Sequence, residues 1–300
     1  WVGVGVAGQG IDVAAALRAS NTEVLAIAEA DETFEGKVPG AKDQDVKWGY
    51  TINAVKGKDS VSGVELVSVK GKAPPLSFDT DGVCIAWGST PMGDLAQVAG
   101  CQVELLPERG GYVPTHNGCL GTSVEGIFVA GDVAGLCGVK TAIAQGRFAG
   151  LMAAHRLGKA HGSSFDERHD HLAAEVQKLQ KLDSPWIREE TAAIQRLEEY
   201  HVRLALERDD VLLCRCPQTE VSGAAIAKAI TEGGAEVPVD LKRFTQAGTG
   251  ECQGRICRPL LAKAINLLGK RKDSTQTPMR LSYRPPVRPV PLTSLLADGE

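Results

Sequence analysis

The sequence predicts an α/β protein in which a parallel-sheet, nucleotide-type domain is followed by a helical connector and a small α-helical cysteine module. Three observations predict it. The first 29 residues read strand, glycine turn, helix, strand; such a parallel pair needs a crossover helix. Residues 163–210 turn charged and helical in period. Four of the eight cysteines crowd into residues 214–257.

The 300 residues suffice for about two globular units. A content of 43% hydrophobic and 23% charged residues, with 34 glycines, excludes a disordered or fibrous chain. Charge is unevenly placed: residues 1–240 carry 22 basic against 33 acidic side chains, and residues 241–300 carry 11 against 4. A basic end usually suggests nucleic acid or membrane surface. Here it coincides with the cysteine cluster, so an anionic metal centre is the expected partner and no nucleic acid is expected. No apolar run approaches the roughly 18 residues of a membrane span, and no signal-peptide pattern opens the chain. The reading is therefore of a soluble, cytoplasmic protein, membrane-associated at most through partners. Trp1 stands directly inside the first expected strand, which predicts a further piece upstream.

The elements follow in order. Trp1 to Gly8 is a β-branched and glycine run; Ile11 to Leu17 has helical periodicity; Val24 to Glu29 reads as a second buried strand. Residues 30–45 give no assignable pattern. Val46 to Val69 reads as antiparallel strands around Lys56-Gly57-Lys58-Asp59, and Gly82 to Trp87 as a further strand before the turn Gly88-Ser89-Thr90-Pro91. Thr122 to Asp132 reads as a buried strand ending in Gly131-Asp132, before a helix carrying Ala142, Ala144, Phe148 and Leu151. The last segments are a helix from Glu220 to Ile230, one from Pro259 to Leu268, and a proline-rich, extended tail.

Gly3-x-Gly5-x-x-Gly8 lies between a strand and a helix, and Glu29 ends the next strand. A pyrophosphate needs close backbone approach at a helix N-terminus, and a ribose needs a carboxylate beyond it. Packing glycines in a first βα turn would look the same. Asp132 at the edge of a sheet can bond a ribityl hydroxyl; as a bare alternative it caps the following helix.

TSVEGIFVAGDVAG with AIAQGRFAG, and CIAWGSTPMGDL before them, resemble the final flavin-binding segment of thioredoxin-reductase-like pyridine nucleotide-disulfide oxidoreductases. The resemblance implies a partial version of that two-dinucleotide-domain fold. Residues 1–86 would be a shortened nested NAD-type domain and residues 87–158 the C-terminal segment of the FAD-type domain. The segment carrying the first FAD glycine motif has no counterpart in this sequence. The resemblance places FAD, or another adenine nucleotide, against Gly131, Asp132 and Ala142. Cys84, Cys101, Cys119 and Cys137 are isolated, which argues against disulfide-reductase chemistry.

Cys214-x-Cys216 and Cys252-x4-Cys257 put paired thiolates in two short loops, as an iron–sulfur centre requires. Structural zinc usually prefers two-residue spacing, and disulfides suit an oxidising compartment; both stay open. Gly248, Gly250 and Gly254 can turn amides toward sulfide, and Lys242, Arg243, Arg255 and Arg258 can offset negative charge. LLCRCPQTEVSGAAIAKAI and KRFTQAGTGECQGRIC resemble the bacterioferritin-associated-ferredoxin type of 2Fe-2S domain. The resemblance makes Cys214, Cys216, Cys252 and Cys257 its ligands in a domain over 211–272, after a connector over 159–210 and before a tail over 273–300.

The whole order resembles the alpha-type subunits of heteromeric flavin-dependent amine and imino-acid dehydrogenases, a group that includes subunits of opine oxidase, hydrogen cyanide synthase and proline or hydroxyproline dehydrogenase. It implies an oxidoreductase subunit for CH–NH or CH–NH2 donors, which relays electrons from a partner flavin through its own flavin and a 2Fe-2S cluster. The implied partner is a D-amino-acid-oxidase-like beta subunit containing FAD; the group also admits FMN between subunits and a small ferredoxin-like subunit. No catalytic residue is expected here, since His116, His169, His171 and His201 form no acid–base constellation. Two other readings remain: an independent NAD(P)H-dependent FAD/2Fe-2S oxidoreductase using Gly3, Gly5, Gly8 and Glu29, and a non-enzymatic iron–sulfur binding module.

Overall fold

The computed structural model describes residues 2–5, 9–32 and 46–269. Gly8, Trp1 and the proline-rich tail lie outside the described residues. The chain divides into two compact units, one of Trp1–Gly93 with Cys101–Leu197, the other of Asp94–Gly100 with Glu198–Glu300.

In the first unit, β1 (Val2–Gly5), α1 (Gln9–Ala19) and β2 (Ala26–Glu29) realise the expected parallel unit. β3 (Val46–Trp48) and β7 (Val83–Ala86) complete a four-stranded parallel sheet in the order β3-β2-β1-β7. Val2 sits at the centre, opposite Ala26 on one side and Val83 on the other. Between β3 and β7 the chain makes an antiparallel sheet of β4 (Tyr50–Lys56), β5 (Gly63–Ser68) and β6 (Leu76–Asp79). Val64 and Leu66 pack it onto Val2, Ala26 and Ala28 of the parallel sheet. On α1, Ala14 closes against Ile27 and Val46.

Two expectations need correction here. Val46 to Val69 is not antiparallel throughout, because Gly49 adopts φ +72° and breaks the run. Residues before it join the parallel sheet and those after it the antiparallel one. The positive φ is what favours glycine in this turn; a Cβ there would lie 2.5 Å from the Glu32 carboxylate, which is exposed and could turn away. Likewise Thr122 to Ala130 joins no sheet among the described residues. It folds back on residues 120–122 through the isolated bridge of Gly121 with Phe128 and the Val129 N–H to Leu120 carbonyl bond of 3.0 Å. Gly131–Ala134 then forms a 3-10 turn.

The hairpin of β8 (Val103–Leu106) and β9 (Gly111–Pro114) leads to α3 (Val139–Arg156) and α4 (Ser163–Leu206). α3 buries Ala144 and Phe148 against Leu120 and Val176 of α4. The charged stretch Ser163–Leu206 is one helix of 44 residues with Pro185 inside it, where one backbone bond is lost. Over residues 193–197, α4 lays Ala193 and Leu197 on Ala30 and Trp48 at the ends of β2 and β3.

The second unit contains α2 (Asp94–Val98), the end of α4, the short pair β10 (Leu212–Cys214) and β11 (Val221–Ser222), and α5 (Gly223–Thr231), α6 (Pro238–Thr245) and α7 (Cys257–Leu268). Its core joins Val202, Leu213, Ile226, Leu241 and Leu261 with Cys214 and Cys257. The helix expected from Glu220 starts only at Gly223. Val221 and Ser222 pair with β10 first, and Ser222 then caps the helix by accepting the Ala225 N–H at 3.2 Å. Among the described residues, no helix is long and apolar enough to cross a membrane.

Candidate functional site

The carboxyl edge of the parallel sheet holds Glu29, 5% exposed, whose Oε1 accepts the Asp31 N–H at 2.9 Å. Gly3 and Gly5 pair with Ile27 and Glu29, so the backbone at the end of β1 lies beside this carboxylate. The structure therefore brings Gly3, Gly5 and Glu29 to one edge. α4 crosses the same edge: Arg196 Nε donates to Asp31 Oδ2 at 2.8 Å, and a Cβ on Gly88, after β7, would lie 2.2 Å from Ile194 Cδ1.

Glu190 of α4 is buried on this side, and burial raises its carboxyl above the ordinary range. A raised folded pKa means that the native state retains a proton which the unfolded chain releases. The associated stability is complete at low pH and is lost as pH rises through the raised value. Glu190→Gln should therefore raise Tm at pH 7, with the gain shrinking toward about pH 4. An unchanged Tm and pH profile would refute that account.

At the second predicted site, Gly131 takes φ +71°, its N–H donates to the buried Gln145 Oε1 at 2.7 Å, and a Cβ there would stand 3.5 Å from that of Ala142. Asp132 is exposed and accepts the Cys137 N–H at 3.2 Å. Gly131, Asp132 and Ala142 thus share the entrance to α3. The N-terminus of α3 is met by Asp183, a residue that the sequence did not single out: its Oδ2 accepts from the Gly138 N–H at 2.8 Å and the Thr141 hydroxyl at 2.5 Å. A carboxylate suits the positive end of the helix dipole. Burial first, then the charges of Asp132 and Asp183, push the Cys137 thiol up to about 12, so it stays protonated at neutral pH. His169 is half-buried between Phe148 and Phe165, with ring centroids at 5.4 and 5.8 Å.

The third site is the cysteine module. Cys216 Sγ lies 3.5 Å from Cys252 Sγ, and Cys214 and Cys257 are near enough that each shifts the other's ionisation. The two loops thus meet thiol to thiol at Cys216 and Cys252, and Cys214, Cys257 and Cys216 belong to one core cluster. Thr219 Oγ1 lies 3.1 Å from Cys214 Sγ. Burial opposes ionisation of Cys214, but the Gly248 amide, the Thr219 hydroxyl, the Cys216 amide and the Cys257 thiol together lower its pKa. Burial and the neighbouring Cys214 push Cys257 strongly upward. Among the described residues, no three or more His, Cys, Asp or Glu are grouped to hold a metal ion. Of the expected basic residues, Arg255 and Arg258 are mostly buried, while Arg243 is exposed and lies 3.9 Å from Asp240.

A parallel sheet with a glycine-lined first strand and a carboxylate ending the second defines a nucleotide-binding type of α/β protein, here carrying a four-thiol module. The pyridine nucleotide-disulphide oxidoreductase family matches residues 2–158, and the chain belongs to that family. The sarcosine oxidase A3 domain matches residues 216–299. An opine oxidase subunit of Rhizobium meliloti is 27% identical over 82% of this chain and 44% of its own length. Hydrogen cyanide synthase subunit HcnB of Pseudomonas aeruginosa is 28% identical over 74% of this chain and 44% of its own. The chain thus spans less than half the length of these curated relatives. The solved structure of L-proline dehydrogenase from P. horikoshii aligns over 98% of this chain and 49% of its own, with TM-score 0.66 at 17% identity, which establishes likeness of fold.

Proposed function

We propose that this chain is the electron-transfer subunit of a heteromeric flavin-dependent amine or amino-acid dehydrogenase or oxidase, holding a 2Fe-2S cluster through Cys214, Cys216, Cys252 and Cys257. The observation that carries the proposal is the meeting of the two cysteine loops, with Cys216 Sγ 3.5 Å from Cys252 Sγ and Cys214 and Cys257 buried in the adjoining core. Four cysteine thiolates are the usual ligand set of a 2Fe-2S cluster. Gly250 lets the loops meet, since even a Cβ there would lie 2.8 Å from Cys216 Sγ. The amides of Gly248 and Cys216 face Cys214, where they would stabilise negative charge on sulfur. When bound, such a cluster supplies one-electron steps between a two-electron flavin and a further acceptor.

Family membership supports FAD, or another adenine nucleotide, as the second group, with Gly131, Asp132 and Ala142 as its contacts and Gly3, Gly5, Gly8 and Glu29 lining the nested site. The matched relatives are named as subunits, which supports a partner bearing the substrate flavin, of the D-amino-acid-oxidase-like kind. Substrates of the opine, glycine, proline and sarcosine types are the chemical class. An independent NAD(P)H oxidoreductase using Gly3, Gly5, Gly8 and Glu29 is the second reading; it would require a nucleotide to fit beside the Arg196–Asp31 pair.

The test uses the chain co-purified with its partner. Adding the amine substrate should bleach the partner's flavin and pass electrons to an artificial acceptor. Cys214→Ser should leave the bleaching intact and abolish transfer and the cluster's visible absorbance. Wild-type transfer by the Cys214→Ser variant, or bleaching of the isolated chain by NADH alone, would overturn the proposal.

A further inference from the structure

Within the second unit, Asp94 opens α2 and is 6% exposed. Arg255 Nε donates to Asp94 Oδ2 at 2.6 Å, and Arg258 Nη2 lies 3.7 Å from Oδ1. Arg255 also donates through Nη1 to the carbonyl oxygen of Cys252 at 3.0 Å, the same oxygen that accepts the Arg255 backbone N–H at 3.1 Å. A carboxylate 161 positions from Arg255 in sequence is thus separated from the backbone of Cys252 by that one guanidinium.

Burying a carboxylate with two guanidinium groups gives little net stability, since the desolvation of three charges offsets their attraction. Its retention beside the Cys252–Cys257 loop calls for another role. We infer that Asp94 and Arg255 are positioning residues for the metal centre: together they fix the Cys252 loop, and the carboxylate sets how much positive charge from Arg255 and Arg258 the centre feels. This rests on the cluster reading above.

Charge gives the direction of each effect. Reduction adds an electron to an already anionic centre, so nearby positive charge favours the reduced form. Removing the Asp94 charge exposes two guanidinium groups; removing the Arg258 charge leaves one, still neutralised. Asp94→Asn should therefore shift the midpoint potential upward and Arg258→Gln should shift it downward. Arg255→Lys keeps the charge but loses the planar fork that spans Asp94 and Cys252. It should leave the potential close to wild type while cluster loss to a chelator becomes about tenfold faster, as when outer partners of metal ligands are removed.

The experiment is an anaerobic redox titration of the full chain and its variants, followed by paramagnetic resonance, with chelator-driven bleaching in parallel. Opposite shifts for Asp94→Asn and Arg258→Gln support the inference. Equal potentials, or a uniform loss of cluster content without any shift, overturn it. Should Asp94→Asn not fold, the downward shift of Arg258→Gln and the unshifted but labile Arg255→Lys decide. If the wild-type chain takes up no cluster, the cluster reading itself has failed. The positioning role is then read from cluster-free protein, by mass-spectrometric mapping of Cys252 alkylation: about tenfold faster labelling in Arg255→Lys supports it, and an unchanged rate overturns it.

Discussion

Gly250→Ala should prevent the metal centre from forming. A Cβ at this position would lie 2.3 Å from Cys216 Cβ and 2.8 Å from its Sγ, distances that no pair of nonbonded carbons or of carbon and sulfur sustains. The obstruction is not the far end of a flexible side chain. Cys216 Cβ is fixed by its backbone, which is itself held by the Thr219 N–H to Cys216 carbonyl bond of 2.8 Å. Either the 214–216 loop or the 250–254 loop must move, and the 3.5 Å approach of Cys216 to Cys252 is lost with it. The expected result is absence of visible absorbance after anaerobic reconstitution, with about 1–3 kcal/mol lost from overpacking. Gly146→Ala is the matched control, since it sits in α3 with nothing within 4 Å of its added carbon. That variant should keep the centre and gain up to about 1 kcal/mol from helix propensity. A Gly250→Ala protein with wild-type cluster content would show that the loops meet differently.

Phe148→Ala should damage the other unit selectively. Phe148 is 1% exposed and joins α3 to Leu120 and to Val176 on α4, with the His169 ring centroid 5.4 Å away. Truncation of a fully buried phenylalanine costs about 3–5 kcal/mol, through lost transfer energy and a residual cavity. None of its partners belongs to the core around Cys214 and Cys257. Thermal unfolding followed by far-ultraviolet dichroism should show an early transition, while the absorbance of a reconstituted centre persists to the wild-type temperature. Simultaneous loss of both signals would contradict the division into two units.

Local signals made much of this protein legible in its sequence. β1, α1 and β2 were readable because β-branched runs, a glycine turn and an alanine-rich helix each act over a few residues. The long α4 was readable from sustained periodicity, and the cysteine loops from spacing. What was missed depends on distance along the chain. Thr122 to Ala130 has the composition of a strand, but composition does not reveal whether a pairing partner exists; here, among the described residues, the segment makes isolated bridges, of Thr122 with His116 and of Phe128 with Gly121, and joins no strand. α6 escaped notice because it has only 8 residues and opens with Pro238, which reads as a breaker although it is well placed at a first helical position. Asp183 carries no motif, and its role at the α3 N-terminus follows from the packing of two helices. Asp94 similarly stands in a turn and helix that the sequence ties to a flavin-type segment. The structure also groups it with the cysteine unit, so the basic residues there do not act alone.

Metal and sulfide analysis of the anaerobically purified chain, joined to paramagnetic resonance of the reduced sample, tests the central claim most directly. The account predicts about two irons and two acid-labile sulfides per chain, with a signal that appears on one-electron reduction and disappears in Cys214→Ser. Zinc without sulfide, or four thiols that all react freely with an alkylating probe in the native protein, would contradict it.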